Sequence, residues 1–100
     1  MELDQAQWDE IEQLAGSGFT VRKIAMYLKQ DPDFFQAEYE DPDSLLRLHF
    51  DRGMLENEAK RDIELCRSAS SGSISAIQIL EKKLEQRKLE LFKEHLLNGS

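Results

Sequence analysis

Three cations fall within the first 43 residues, Arg22, Lys23 and Lys29, on or directly after a short predicted helix that opens at Thr20. Charges so concentrated suit contact with phosphate. The first turn of a helix leaves backbone N–H groups unpaired, and the Thr20 hydroxyl adds another donor. Gln36 is the one residue of the following segment whose side chain suits a base edge. The competing reading of the three cations is an ordinary solvated helix face. Further on stand Lys82, Lys83, Arg87, Lys88 and Lys93, interleaved with Glu81, Glu85, Glu90 and Glu94 at helical spacings. That pattern favours a charged face of i,i+3 and i,i+4 pairs over a DNA-facing stripe. Lys60, Arg61 and Arg67 read the same way beside Glu56, Glu58, Asp62 and Glu64.

Other chemistry finds little support in the residues. His49 and His95 have no ligand partners at metal-binding spacings. Cys66, the single cysteine, has no adjacent His and reads as a half-buried packing thiol rather than a nucleophile. Ser68, Ser70, Ser71 and Ser73 form a turn-and-cap cluster. Gly16-Ser17-Gly18 lacks the preceding strand and the GK[ST] ending of a phosphate-cradling loop. No enzymatic activity, cofactor or metal is expected.

The chain of 100 residues carries a net charge of −7, which is a poor basis for non-specific attraction to nucleic acid. The charge is uneven: residues 1–58 hold 14 acids and 5 bases, residues 59–100 hold 6 acids and 8 bases. Any nucleic-acid contact therefore rests on a local basic surface. No run of about 18 apolar residues spans a membrane, and the acidic start Met1-Glu2-Leu3-Asp4 lacks the apolar region of a secretory signal. A cytoplasmic location is the expectation.

With 5 Gly, 2 Pro and few β-branched residues, the chain reads as all-α. Trp8, Ile11, Leu14 and Ala15 form an apolar stripe on a helix capped by Asp4 and stopped at Gly16-Ser17-Gly18. Thr20 caps a second helix, Val21 to Leu28, with Val21, Ile24, Ala25 and Leu28 on one face. Asp31-Pro32-Asp33 opens a third helix that buries Phe34, Phe35 and Tyr39. Asp41-Pro42-Asp43 closes this unit, giving a first domain over 1–42. The second domain, 43–100, comprises two long helices, Ser44 to about Ser70 and Ile74 to about Leu97. Within the first, Gly53 marks a close approach or a kink. A four-residue connection between them, Ser70-Ser71-Gly72-Ser73, predicts an antiparallel hairpin. Its last helix carries Ile77, Leu80, Leu84 and Leu91 on one stripe and Leu89, Phe92 and Leu96 on another. One partner helix cannot cover both, so self-association through Ile77, Leu80, Leu84, Leu91 and Phe92 is expected.

Residues 21–38 have helix-turn-helix spacing, with Ala25 the small residue over which the second helix crosses. Lys29 stands at the turn, where Gly is usual. The string Ile11…Leu14-Ala15-Gly16…Gly18…Thr20…Ile24-Ala25…Leu28 resembles the N-terminal domain of phage small terminase subunits. The stretch Phe50…Gly53, then Glu64-Leu65…Ala69…Gly72…Ala76…Leu80, is similar to the start of that family's oligomerisation region. The resemblance covers about residues 11–84. It implies a non-enzymatic, ring-forming homo-oligomer in a viral genome-packaging motor. Such a subunit recognises double-stranded viral DNA in the host cytoplasm and delivers it to a large terminase subunit carrying ATPase and nuclease activity.

Two other functions fit the same residues. One is a dimeric helix-turn-helix transcriptional regulator, distinguished by a stoichiometry of two. The other is an oligomeric protein-interaction adaptor without DNA binding, consistent with a third helix, Asp33 to Glu40, that carries no Lys or Arg.

Overall fold

A computed structural model describes residues 2–98, and these form five helices and no strand. The helices are α1 (Gln5–Gly16), α2 (Val21–Tyr27), α3 (Pro32–Glu40), α4 (Leu45–Ser70) and α5 (Ile74–Leu97). Met1, Gly99 and Ser100, at the outer ends of the two expected domains, lie outside the described residues. The chain divides into two compact units, Met1–Ala59 and Lys60–Ser100.

Local chemistry sets most helix ends in the first unit. The Asp4 carboxylate accepts the Gln7 N–H at 2.8 Å while the Gln7 side chain accepts the Asp4 N–H at 3.0 Å, a reciprocal capping box. Gly18 then takes φ +92°, which turns the chain out of α1. Thr20 Oγ1 accepts the Lys23 N–H at the start of α2. Asp31 caps α3 with Pro32 in its first turn. The connection from α2 to α3 passes through Lys29 at φ +58°, a left-handed residue where Gly would cost less.

The core gathers Trp8, Ile11 and Ala15 from α1, Val21, Ile24 and Ala25 from α2, Phe35 from α3, and Leu46 and Phe50 from α4. Ile11, Ile24, Phe35 and Leu46 are almost wholly removed from water, each worth roughly 1.5–3 kcal/mol. Phe34, expected beside Phe35 on the buried side, is instead 48% exposed. Adjacent helical residues point about 100° apart, and only one of the pair can face the core.

The expected three-helix domain over 1–42 is smaller than the unit observed, which runs through Ala59. The first part of α4 supplies the missing wall: Leu46 and Phe50 enter the core, and Gly53 lies against α1. A Cβ on Gly53 would overlap the Glu12 carbonyl oxygen and stand 2.6 Å from Glu12 Cα. A Cβ on Gly16 would stand 2.7 Å from the Gly53 carbonyl oxygen. Gly16 is thus the last residue of α1 and a contact surface, beyond the helix stop expected of it. Asn57 Nδ2 donates to the Gly16 carbonyl at 2.5 Å. Near the base of α4, Ser44 Oγ donates to the Glu38 carbonyl and accepts the Arg47 N–H. Arg47 donates to the Tyr39 carbonyl at 3.1 Å and lies over the Tyr39 ring.

In the second unit, Gly72 at φ +93° makes the turn and Ser73 Oγ accepts the Ala76 N–H to open α5. Asp62 of α4 receives Lys83 Nζ at 3.0 Å and also pairs with Arg87, both from α5.

The glycine contact yields a prediction opposite in sign to helix propensity. Propensity alone would have Gly53→Ala stabilise α4 by about 1 kcal/mol. We expect it to destabilise the first unit by at least ~2 kcal/mol, because Cβ meets backbone rather than a movable side chain. Urea unfolding followed by Trp8 fluorescence checks this; a gain in stability would refute the close contact.

Candidate nucleic-acid interface

The residues expected to meet DNA lie on exposed parts of α2, α3 and the turn between them, and the structure engages several of them elsewhere. Arg22 Nη2 stands 2.5 Å from Asp33 Oδ1, joining α2 to the first turn of α3, with the two side chains 53% and 83% exposed. Such an exposed pair is worth only about 0–1 kcal/mol, so the guanidinium can exchange Asp33 for a phosphate at small cost. The Thr20 oxygen caps its own helix, so the Lys23 N–H expected to face a phosphate is already bonded. Lys23 and Lys29 are exposed and make no ion pair among the described residues. Gln36 Nε2 donates to Glu40 Oε1 at 3.2 Å, one turn along α3.

The outer side of α3 presents Asp33, Phe34, Ala37 and Glu40. Met26 and Tyr27 of α2 are also strongly exposed. A duplex approaching this surface meets its cations on α2 and at Lys29, and none on α3. Gln36 is the one amide side chain on α3, and it is half-buried and engaged with Glu40.

Of the expected assembly residues on α5, Ile77, Leu84, Leu91 and Phe92 are exposed and Leu80 is half-buried. The basic residues of α5 depart from the expected pattern. Lys83 and Arg87 reach across to Asp62 on α4, because both lie on the side of α5 that faces α4. Arg67 does pair locally, with Glu64. Cys66 is exposed, not half-buried as expected.

One cluster was hidden from sequence reasoning altogether. His49 Nδ1 lies 2.9 Å from Glu12 Oε2 and its ring stacks on Trp8 at 4.4 Å. Arg52 Nη1 lies 3.6 Å from the same Glu12 oxygen. Glu12 and His49 are 37 residues apart, and no spacing rule links them. Among the described residues no group of three His, Cys, Asp or Glu could hold a metal ion, and no helix is long and apolar enough to cross a membrane.

Comparison with known proteins found no match: no protein-family model, no curated protein and no solved structure matches the chain.

The Asp62 site generates a pH prediction. The Lys83 hydrogen bond first, and the Arg87 bond next, hold this carboxyl below its ordinary value of 3.8, against the opposing effect of burial. A lowered folded-state pKa contributes stability above the unfolded value and loses it as pH falls through the folded one. Acid titration below about pH 4 should therefore loosen α5 from α4, read by amide exchange. Asp62→Asn should remove that acid-dependent step and leave neutral-pH exchange faster than in the parent. An unchanged acid profile in Asp62→Asn would refute it.

Proposed function

We propose that this protein is an assembling, non-enzymatic DNA-recognition subunit similar to phage small terminases. In this reading α2 and α3 act as a helix-turn-helix, and the second unit is a helical hairpin joining copies into a ring. The oligomer delivers double-stranded DNA to a large terminase subunit. The observation that carries the reading is the packing of α2 with α3. Ala25 is fully buried, the turn is tight enough to force Lys29 left-handed, and Phe35 seals the same core. These are the contacts a helix-turn-helix needs to hold its second helix at a fixed angle.

The contact surface is Arg22, Lys23 and Lys29, with Thr20 orienting the first turn of α2 and Gln36 the one base-reading side chain. Three phosphate contacts per copy give a salt slope of about −0.9 each. Repetition around an oligomer raises such weak binding by effective concentration. A second reading, the interaction adaptor without DNA binding, draws support from the Arg22–Asp33 pair and from the acidic outer side of α3.

Arg22→Ala with Lys23→Ala is expected to abolish DNA binding, measured by fluorescence anisotropy at low salt, with no change in oligomeric state. Binding that persists there but vanishes on neutralising Lys82, Lys83, Arg87 and Lys88 would move the interface to α5. No binding by the unmodified protein at any ionic strength would leave the adaptor reading.

A further inference from the structure

The second unit leaves most of its apolar surface uncovered. Among its described residues only Ala76 is buried. Ile77, Leu84 and Leu91 recur every seven residues along α5 and are 37%, 47% and 65% exposed. Lys83 and Arg87 turn toward Asp62 of α4, and Ala76 and Leu80 share that side by helical geometry. The line 77–84–91 lies on the adjoining flank. A seven-residue repeat keeps apolar side chains in register along a helix, the pattern that meets a second helix along its length.

The charges beside this line indicate which helix. Glu81 and Lys88 border it on the side away from α4, one turn before and one turn after Leu84. With Gln78, Leu84 and Glu85 they line a shallow open depression. Consider a second α5 laid antiparallel with Leu84 opposite Leu84. Ile77 then faces the partner's Leu91, and Leu91 faces the partner's Ile77. In the same register Glu81 comes beside the partner's Lys88 and Lys88 beside the partner's Glu81. Every apolar residue of the line meets an apolar residue, and the two charges that border it, Glu81 and Lys88, meet their opposites. Parallel in-register pairing puts Glu81 and Lys88 across the seam from their own counterparts: Lys88 comes beside the partner's Lys83, which is repulsive, and Glu81 meets no cation. An external partner of one sign would meet both signs on this flank. A second copy of the chain matches the apolar line and both bordering charges at once.

We infer that two copies of this protein pair antiparallel along α5, with Leu84 on the two-fold axis. The pairing rests on the assembly half of the proposed function and narrows it. The contact is isologous, so it closes at two copies. A ring would be built from such pairs through a further surface.

Engineered crosslinking in the full chain tests this, with Cys66→Ser removing the exposed native thiol. Disulfides form only when Cα atoms come within about 7 Å. Leu84→Cys should crosslink to itself on mild oxidation. Ile77→Cys should not crosslink to itself but should crosslink when mixed with Leu91→Cys. Charge variants provide a second measurement that leaves the apolar line intact. Glu81→Lys and Lys88→Glu should each raise the dissociation constant of self-association about ten-fold, equivalent to the loss of two opposed pairs. An equimolar mixture of the two should associate as well as the parent in sedimentation velocity. Self-crosslinking of Ile77→Cys as fast as Leu84→Cys would overturn the antiparallel register. A monomeric parent with no crosslinking at any of the three positions would overturn the pairing itself. DNA binding measured on the same samples separates the two readings. Pairing as described without DNA binding removes the DNA-recognition function and leaves this inference. DNA binding by an assembly that does not crosslink through Leu84 does the reverse.

Discussion

Two glycines with no side chain between them set how α1 meets α4. At Gly53 the backbone of α4 reaches the carbonyl and Cα of Glu12, and the Gly53 carbonyl in turn stands where a Gly16 side chain would be. Helices normally pack with axes 8–10 Å apart because side chains intervene. Removing both Cβ atoms lets backbones touch, and several contacts follow from that approach. Asn57 reaches the Gly16 carbonyl, His49 reaches Glu12 and stacks on Trp8, and Leu46 and Phe50 close the core over Ile11 and Phe35. Gly53 weakens α4 as an isolated helix. The tertiary contact it permits outweighs that local loss.

The two units are stabilised by different physics. The first has a core cluster of nine buried apolar residues, with its polar contacts, such as Glu12 with His49, at the margin of that core. Among its described residues the second has one buried residue, Ala76, and a charged contact, Asp62 with Lys83 and Arg87. A polar contact of this kind fixes which residues oppose each other more than it stabilises, since desolvating the charges offsets much of their attraction. The second unit thus has a defined register and a large remaining apolar surface, a combination suited to a further helical partner.

Electrostatics constrains the first unit as strongly as packing does. Its cations are few, and one of them, Arg22, already faces a carboxylate across the α2–α3 junction. An acidic outer side on α3 and exposed Met26, Tyr27 and Phe34 limit what this surface can bind. On this α2–α3 surface the cations lie only along α2 and at the Lys29 turn. A protein partner could use the aromatic and acidic side chains together.

Much of the fold was legible in the residues because it depends on interactions between near neighbours. Asp4, Thr20 and Ser73 each cap a helix by accepting an N–H three residues on, so their type and position suffice. The span of α5, Ile74–Leu97, follows from its cap and its apolar repeat. Trp8, Ile11, Ala15, Val21, Ile24 and Ala25 were identifiable as core from the helical period alone. Tertiary structure decided what no local rule reaches. It chose Phe35 over Phe34, brought Glu12 to His49 across 37 residues, and gave Lys83 and Arg87 a shared partner on another helix. It also exposed Cys66 and drew the first part of α4 into the N-terminal core. Each of these depends on the distance and angle at which two helices cross. That crossing is set by the summed shape of their surfaces, not by the spacing of residues within either one.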